Sequence, residues 1–466
     1  MSRIVSKSVC CAAIASALTL ACAKSERGAS PLPSSPTGVA EAPAAAAPVP
    51  AADPASSSAD TGGAAATRPA ATSTVGEEPA AAGIASEHAS ESQAVGRAPG
   101  QLTAGDWDDN LNDGFFRSYL SSVRSGRPDL PAVSLDDRVT IRVTGEGGSP
   151  VRHALVTVRH GEDICFSAPT GADGRLLFFP AHDCPQGRDA ITVTAARSAV
   201  GSPPVTLQAP RGDSWTVVLP GTDATARRAL DLALLVDATG SMGDEIGYLQ
   251  EEIRGIAESV RAGVPDVSLR FSLVVYRDEG DEYVTRVFPF TGDLDAFRRD
   301  LSAQHAGGGG DYPEAVDQGI TALDQLDWRS GEVTRVAFLI GDAPPHTDRA
   351  AAYLEGVDRL RRRGVHVYPI GASGVGDEAE YLFRVTAALT QARYLFLTDD
   401  SGIGNSHAEP HIPCYSVQHL DDLLRRMIVL ELTGESVKPR SVLRTVGQPV
   451  DGRCALSGGR VALIAR

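Results

Sequence analysis

The amino-acid sequence predicts an α/β protein: a doubly wound (Rossmann-like) sheet domain over residues 228–434, preceded by a small all-β sandwich over 131–222. Three observations carry this reading. From residue 229 onward, apolar runs of strand length alternate with stretches of helical periodicity, the pattern of parallel strands joined by crossover helices. Between 131 and 222 the apolar period shortens to two, with turn residues between the runs, as for short strands packed face to face. Up to about residue 105 the chain is mostly Ala, Pro, Ser, Gly and Thr. Such a stretch cannot bury enough apolar surface to offset its conformational entropy.

Taken in order, the first element reads as an export signal. Arg3 and Lys7 precede an apolar stretch from Val9 to Ala21, too short to span a bilayer but suited to a secretory core. Leu18-Thr19-Leu20-Ala21-Cys22 resembles a bacterial lipobox, with Thr19 where a Leu is usual. The resemblance implies a signal peptide over 1–21 and lipidation of Cys22; an ordinary signal peptide cut nearby is the other reading. Residues 22–105 then form a disordered linker, whose roughly 80 flexible residues span about 50 Å. The expected location is the cell envelope, lipid-anchored at the outer membrane or cell surface, with Ala23 after Cys22 favouring the outer membrane. No run of 18 apolar residues follows, so the lipid is the expected membrane contact. The net charge of −16 argues against nucleic acid as a partner, because phosphate neutralisation needs a basic face.

The seven cysteines fit export. Cys10 and Cys11 leave with the signal and Cys22 takes the lipid, so Cys165–Cys184 and Cys414–Cys454 are the expected disulfides. Zinc is the competing reading for His407, His411 and Cys414, but Pro410 and Pro413 prevent a regular helix from presenting both rings on one face. In the 106–130 segment, Phe115, Phe116, Tyr119 and Leu120 mark one face of a short helix. Val139–Val143, Ala154–Val158, Ile191–Ala195 and Trp215–Leu219 alternate as strands, with turns at 145–150 and 171–174. Gly148–Val156 followed by Thr170-Gly171-Ala172-Asp173-Gly174-Arg175 resembles the carboxypeptidase-regulatory or prealbumin-like group, which implies a spacer or binding platform. Arg211-Gly212-Asp213 reads as a plain turn.

In the C-terminal half, Leu232–Val236 is continuously apolar, as for a strand buried on both faces. Ile246, Leu249, Ile253 and Ile256 place a helix after it, beginning just past Ser241. Further strands are expected at 271–276, 284–290, 336–340, 365–370 and 394–397, and helices at 315–326, 353–360, 381–389 and 420–432. Residues 435–466 are expected as a β tail packed on this domain.

Ligands of doubly wound sheets bind beyond the carboxyl ends of the strands. Acids and hydroxyls gather there: Asp237, Thr239 and Ser241 after the first strand, Glu314 after a glycine-rich loop, and Asp342 after a later strand. Asp244, Glu245, Asp278 and Asp311 fall close by. Two like charges about 4 Å apart repel by about 4 kcal/mol at an effective dielectric of about 20. Such a crevice therefore takes up protons or a hard cation, and oxygen-only donors select Mg2+, Mn2+ or Ca2+.

These residues resemble a von Willebrand factor type A (VWA) domain with a metal-ion-dependent adhesion site. Asp237-x-Thr239-x-Ser241 is a variant of that family's Asp-x-Ser-x-Ser signature, and Gly308-Gly309-Gly310-Asp311-Tyr312-Pro313-Glu314 is similar to the loop of hemicentin and integrin β-chain I-like domains. The resemblance implies Asp237, Thr239, Ser241, Glu314 and Asp342 around the metal. It implies Asp244 and Glu245 at an adjacent cation site, and Asp278 and Asp311 at a third, where Gly309 replaces the usual Asn. It also implies binding, with a protein partner's Asp or Glu completing the coordination, so no enzyme is expected. The alternative is a metal-assisted hydrolase using the same crevice. The sequence has no His-Glu-x-x-His, no phosphate loop with Lys and no Gly-x-Ser-x-Gly to support it.

Overall fold

The computed structural model describes residues 101–464 except 188–190, 198–199, 202, 204, 208–212, 221–227, 265, 404–409 and 457–458. The expected signal peptide, Cys22, the linker up to residue 100, Arg211-Gly212 and His407 lie outside the described residues. The described chain opens with strand β1 (Thr103–Trp107) and helix α1 (Asp113–Gly126). α1 buries Phe116, Tyr119 and Leu120, the face its spacing predicts.

The sandwich follows. β2 (Val139–Thr144) alternates buried and half-buried side chains, as its period-two sequence requires. Next come β3 (Leu155–His160), β4 (Asp163–Pro169), β5 (Arg175–Phe178) and the short helix α2 (Pro180–Asp183). β6 (Ile191–Arg197), β7 (Val200–Gly201), β8 (Val205–Leu207) and β9 (Ser214–Val218) complete it. The sheets run β5-β2-β9 and β4-β3-β6-β7, with β8 also on β6. Phe166, Phe178 and Trp215 pack as tilted ring pairs through the core between them. Cys165 is bonded to Cys184, and Cys414 to Cys454, the two pairs expected from their grouping.

The sheet domain begins at β10 (Ala229–Asp237), followed by α3 (Ile246–Gly263), β11 (Ser268–Tyr276), β12 (Thr285–Thr291) and α4 (Leu294–Ser302). It continues with α5 (Val316–Asp324), β13 (Thr334–Gly341), α6 (Ala350–Arg362), β14 (Val365–Gly371) and α7 (Asp377–Leu389). β15 (Tyr394–Leu397), β16 (Tyr415–His419), α8 (Leu420–Thr433) and β17 (Arg444–Val446) come next. β18 (Arg453–Ala455) and β19 (Val461–Leu463) form a separate hairpin. Among the described residues the main sheet has nine strands, in the order β12-β11-β10-β13-β14-β15-β1-β16-β17. β11, β10, β13, β14 and β15 are parallel. Their side chains are buried because two separate apolar clusters cover the two faces. One holds Val316, Tyr353 and Tyr381 from α5, α6 and α7, and the other holds Ile253, Phe297 and Leu424 from α3, α4 and α8.

Three features depart from the sequence reading. The first is β1, which the linker boundary at 105 and the helical segment from 106 divided between them. It is a central strand of the main sheet, antiparallel to both β15 and β16. Thr-Ala-Gly-Asp-Trp has few β-formers, and its pairing comes from partners some three hundred residues away, a signal no local window contains. The second is β16 and α4, which were not expected. α4 starts at Asp293, whose Oδ1 accepts from the backbone N–H groups of Asp295 and Ala296. The third is α3, which begins at Ile246 rather than just past Ser241; Gly240–Asp244 form a 3-10 turn.

The sandwich is joined to the sheet domain by buried polar contacts. Arg361 of α6 donates to both carboxylate oxygens of Asp183 at 2.6 and 2.9 Å and to the Leu177 carbonyl at 2.9 Å. Its guanidinium lies 4.1 Å from the centre of the Phe166 ring. Arg197 forks onto Glu332 at 2.7 and 2.8 Å, and the Leu177 N–H donates to Gln391 Oε1 at 2.6 Å. Glu332 and Gln391 stand just before strands, so the sandwich docks at the amino ends of the parallel strands. Replacing one member of a fully buried ion pair leaves the other charge uncompensated, which costs about 3–5 kcal/mol. Asp183 and Arg361 side chains are 0 % and 2 % exposed. Arg361→Ala is therefore expected to destabilise the protein by about that amount in urea unfolding, and Asp183→Asn with Arg361→Met by much less. Equal losses in the two variants would contradict this account of the junction.

Candidate metal centre

β10 is buried along almost its whole length and delivers Asp237 to the carboxyl edge of the sheet with no exposed surface. The chain then turns sharply. The Thr239 backbone N–H and hydroxyl both donate to Asp237 Oδ1, at 2.9 and 2.6 Å, and the Thr239 and Ser241 hydroxyl oxygens are 3.1 Å apart. Thr239 is buried, while Ser241 reaches the surface.

The glycine-rich loop lies over this turn. The Gly240 N–H donates to the Gly308 carbonyl at 3.1 Å, and the Gly307 N–H to the Ala238 carbonyl at 3.0 Å. Gly309 adopts a positive φ of 71°. A Cβ there would stand 2.9 Å from Glu314 Oε1 and 3.3 Å from Thr239 Cβ, so glycine permits the acid and the hydroxyl-bearing turn to approach each other. The Glu314 N–H donates to the Pro344 carbonyl at 3.0 Å, which fixes this acid beside the loop after β13. Asp342 is buried on that loop. Gly240, Ser241, Gly308–Gly310, Asp311, Tyr312, Glu314 and Asp342 line one cavity of about 270 Å³.

The charges in this crevice are not balanced. Burial, then repulsion from Asp342, pushes Asp237 up to about 7 despite the Thr239 hydrogen bonds. Burial, then Asp237, Asp278 and Asp342, pushes Glu314 up to about 9. Burial raises Asp342 to about 6 against the pull of Ser241. Glu314 Oε2 and Asp342 Oδ1 are buried without a hydrogen-bond partner, and the outer oxygen of Asp237, equally buried, has the Tyr276 hydroxyl beside it, which pulls against the rise. Buried polar atoms are nearly always satisfied in folded proteins. Two orphaned carboxylates, the buried Asp237 and the hydroxyls of Thr239 and Ser241 are oxygen donors of the kind a hard cation takes.

The expected adjacent sites are arranged differently. Glu245 turns inward, accepting from the Ser373 N–H at 3.1 Å and from the Ser373 hydroxyl. Asp278 Oδ1 lies 2.8 Å from His346 Nε2, which raises the histidine's pKa. Both acids are engaged by side chains that the sequence reading did not consider. Asp311 is exposed at the cavity mouth, and the side chain of Asp244 lies outside the described residues. Asp281, also not foreseen, accepts from the Gly309 N–H at 2.8 Å and the Asp278 N–H at 3.1 Å, clamping the glycine loop. Its position in Asp278-Glu279-Gly280-Asp281 was readable as a turn, but not its long-range partner.

Among the described residues, the only three His, Cys, Asp or Glu side chains whose ligand atoms lie within 4.8 Å of one another are His182, Asp183 and Asp358. Asp183 there is taken by Arg361, so that group is an ion-pair cluster. His411, the other half of the zinc reading, instead pairs with Glu380 at 2.8 Å, and Cys414 is in its disulfide.

Residues 231–406 match the von Willebrand factor type A domain, the stretch that contains the crevice. Over 159 residues the chain is 30% identical to a putative ariadne-like RING finger protein, R811, of Acanthamoeba polyphaga mimivirus, covering 30% of this chain and 16% of that one. It is 34% identical over 134 residues to von Willebrand factor A domain-containing protein 7 of Rattus norvegicus, covering 29% and 14%. The chain thus spans less than a fifth of the length of these relatives. A solved structure, the conserved hypothetical protein BatB of Bacteroides thetaiotaomicron, matches 31% of this chain and 67% of its own at 14% identity and a TM-score of 0.24.

Acids whose pKa is raised by folding bind more protons in the folded state, so their contribution to stability is present at low pH and lost as pH rises through the folded values. With Asp342 at about 6, Asp237 at about 7 and Glu314 at about 9, chelator-treated protein is expected to lose thermal stability between about pH 5 and about pH 9. The Asp237→Asn, Glu314→Gln double variant should show a flatter profile. Superimposable wild-type and variant profiles would refute the assignment of these raised values.

Proposed function

We propose that the crevice is a metal-ion-dependent adhesion site: it holds a divalent cation, Mg2+, Mn2+ or Ca2+, and through it captures an Asp or Glu side chain of a protein partner. The observation that carries this reading is that two orphaned, buried carboxylates, Glu314 and Asp342, line one cavity with the Ser241 hydroxyl, while the fully buried Asp237 holds Thr239 behind it. Thr239, Ser241 and Glu314 would supply direct oxygen donors. Asp237 holds the Thr239 hydroxyl in place by accepting its hydrogen bond, and Asp342 adds negative charge from the opposite wall. When bound, the cation supplies an electrophilic vertex for an incoming carboxylate. The neutral hydroxyls of Thr239 and Ser241 leave that vertex less neutralised than an all-acid site would. We further infer that the protein works in the cell envelope, tethered by a lipid on Cys22, as an adhesin or assembly factor.

A ligand that binds only the folded state stabilises it by RT ln(1 + [L]/Kd), about 2.7 kcal/mol at a hundredfold excess over Kd. Mg2+ or Mn2+ should therefore raise the melting temperature of chelated wild-type protein, and Asp237→Ala should abolish that rise without lowering the chelated melting temperature. A full metal response in Asp237→Ala would overturn the site. Metabolic labelling with a radioactive fatty acid should mark the wild-type chain and not Cys22→Ser; label retained in Cys22→Ser would exclude the anchor.

A further inference from the structure

Tyr312 is not a core residue. It is 44 % exposed, yet its hydroxyl is held from two sides. It accepts from the Gly376 N–H at 2.6 Å and donates to the Asp342 carbonyl at 3.3 Å. These partners belong to the two loops that leave β13 and β14. The second loop touches the crevice directly: a Cβ on Gly374 would lie 3.5 Å from Asp342 Oδ2, and Ser373 donates to Glu245 at the foot of α3. Gly376 leaves room for this hydroxyl: a Cβ there would stand 2.8 Å from it and displace it. Pro313 follows and restricts the backbone between this strut and Glu314.

We propose that Tyr312 is a positioning residue for the cation site, its hydroxyl bracing the Asp342 loop against the Gly376 loop so that Asp342 and Glu314 face the cavity together. The proposal rests on the reading of the crevice as a cation site. Hydrogen bonds made by a half-exposed side chain contribute modestly to global stability, whereas partners that orient metal ligands commonly set affinity by tenfold or more. The strut therefore acts on affinity and not on the fold.

The test is Mn2+ binding by the full chain, measured by calorimetry with the metal alone, beside melting temperatures in chelator. Tyr312→Phe keeps the ring and removes the hydroxyl; it should weaken Mn2+ binding roughly tenfold with the chelated melting temperature unchanged. Gly376→Ala should weaken binding by clashing with the hydroxyl. In the double variant the clash is gone, so its affinity should equal that of Tyr312→Phe. Wild-type affinity in Tyr312→Phe overturns the strut while leaving the cation site standing. Strictly additive losses in the double variant overturn it as well, even if a single variant is destabilised. Wild-type protein that binds no Mn2+, indistinguishable from Asp237→Ala, overturns the cation site and the strut together.

Discussion

The structure turns on one electrostatic constraint: Asp237 is carried to full burial at the end of a strand covered on both faces, and no basic side chain among the described residues pairs with it. Carboxylates in that position are tolerated only when protonated or matched by positive charge. The surrounding loops concentrate the problem. Glu314 and Asp342 are brought to the same cavity, each with its own orphaned oxygen. Elsewhere the protein pairs its buried acids with care, as where Arg270 and Arg329 converge on Asp231, and Arg384 forks onto Asp109. The contrast marks the crevice as a place where no basic side chain among the described residues supplies the compensation.

Much of this was legible in the sequence because its determinants are local. An apolar run announces a strand buried on both faces, and the acids at its end belong to a short motif, so Asp237, Thr239, Ser241, Glu314 and Asp342 could be assigned to one edge before any coordinates. What the sequence could not disclose was direction and distance. Glu245 follows the same motif but turns toward Ser373, and Asp278 turns toward His346. Asp281 and Tyr312 brace loops whose closeness depends on the whole sheet. β1 escaped for the same reason: its pairing energy lies in β15 and β16, not in its own five residues.

The sandwich presents a related lesson. Its alternating strands read as a separate module, and its core of Phe166, Phe178 and Trp215 is its own. Its attachment is not that of a loosely strung domain. A fully buried guanidinium–carboxylate pair, stacked on Phe166, fastens it to α6. Breaking such a junction would strand charge in a dry interior, so the pair holds the sandwich against α6.

The direction of β1 has a mechanical corollary. Thr103 pairs beside His419 and the strand runs antiparallel to β15, so the polypeptide enters the sheet from the rim that carries the acids. Four inter-strand steps separate β1 from β10, which puts that point roughly 20 Å from Asp237. A pull on β1 along its own axis would therefore shear hydrogen bonds to two neighbours at once instead of unzipping them singly.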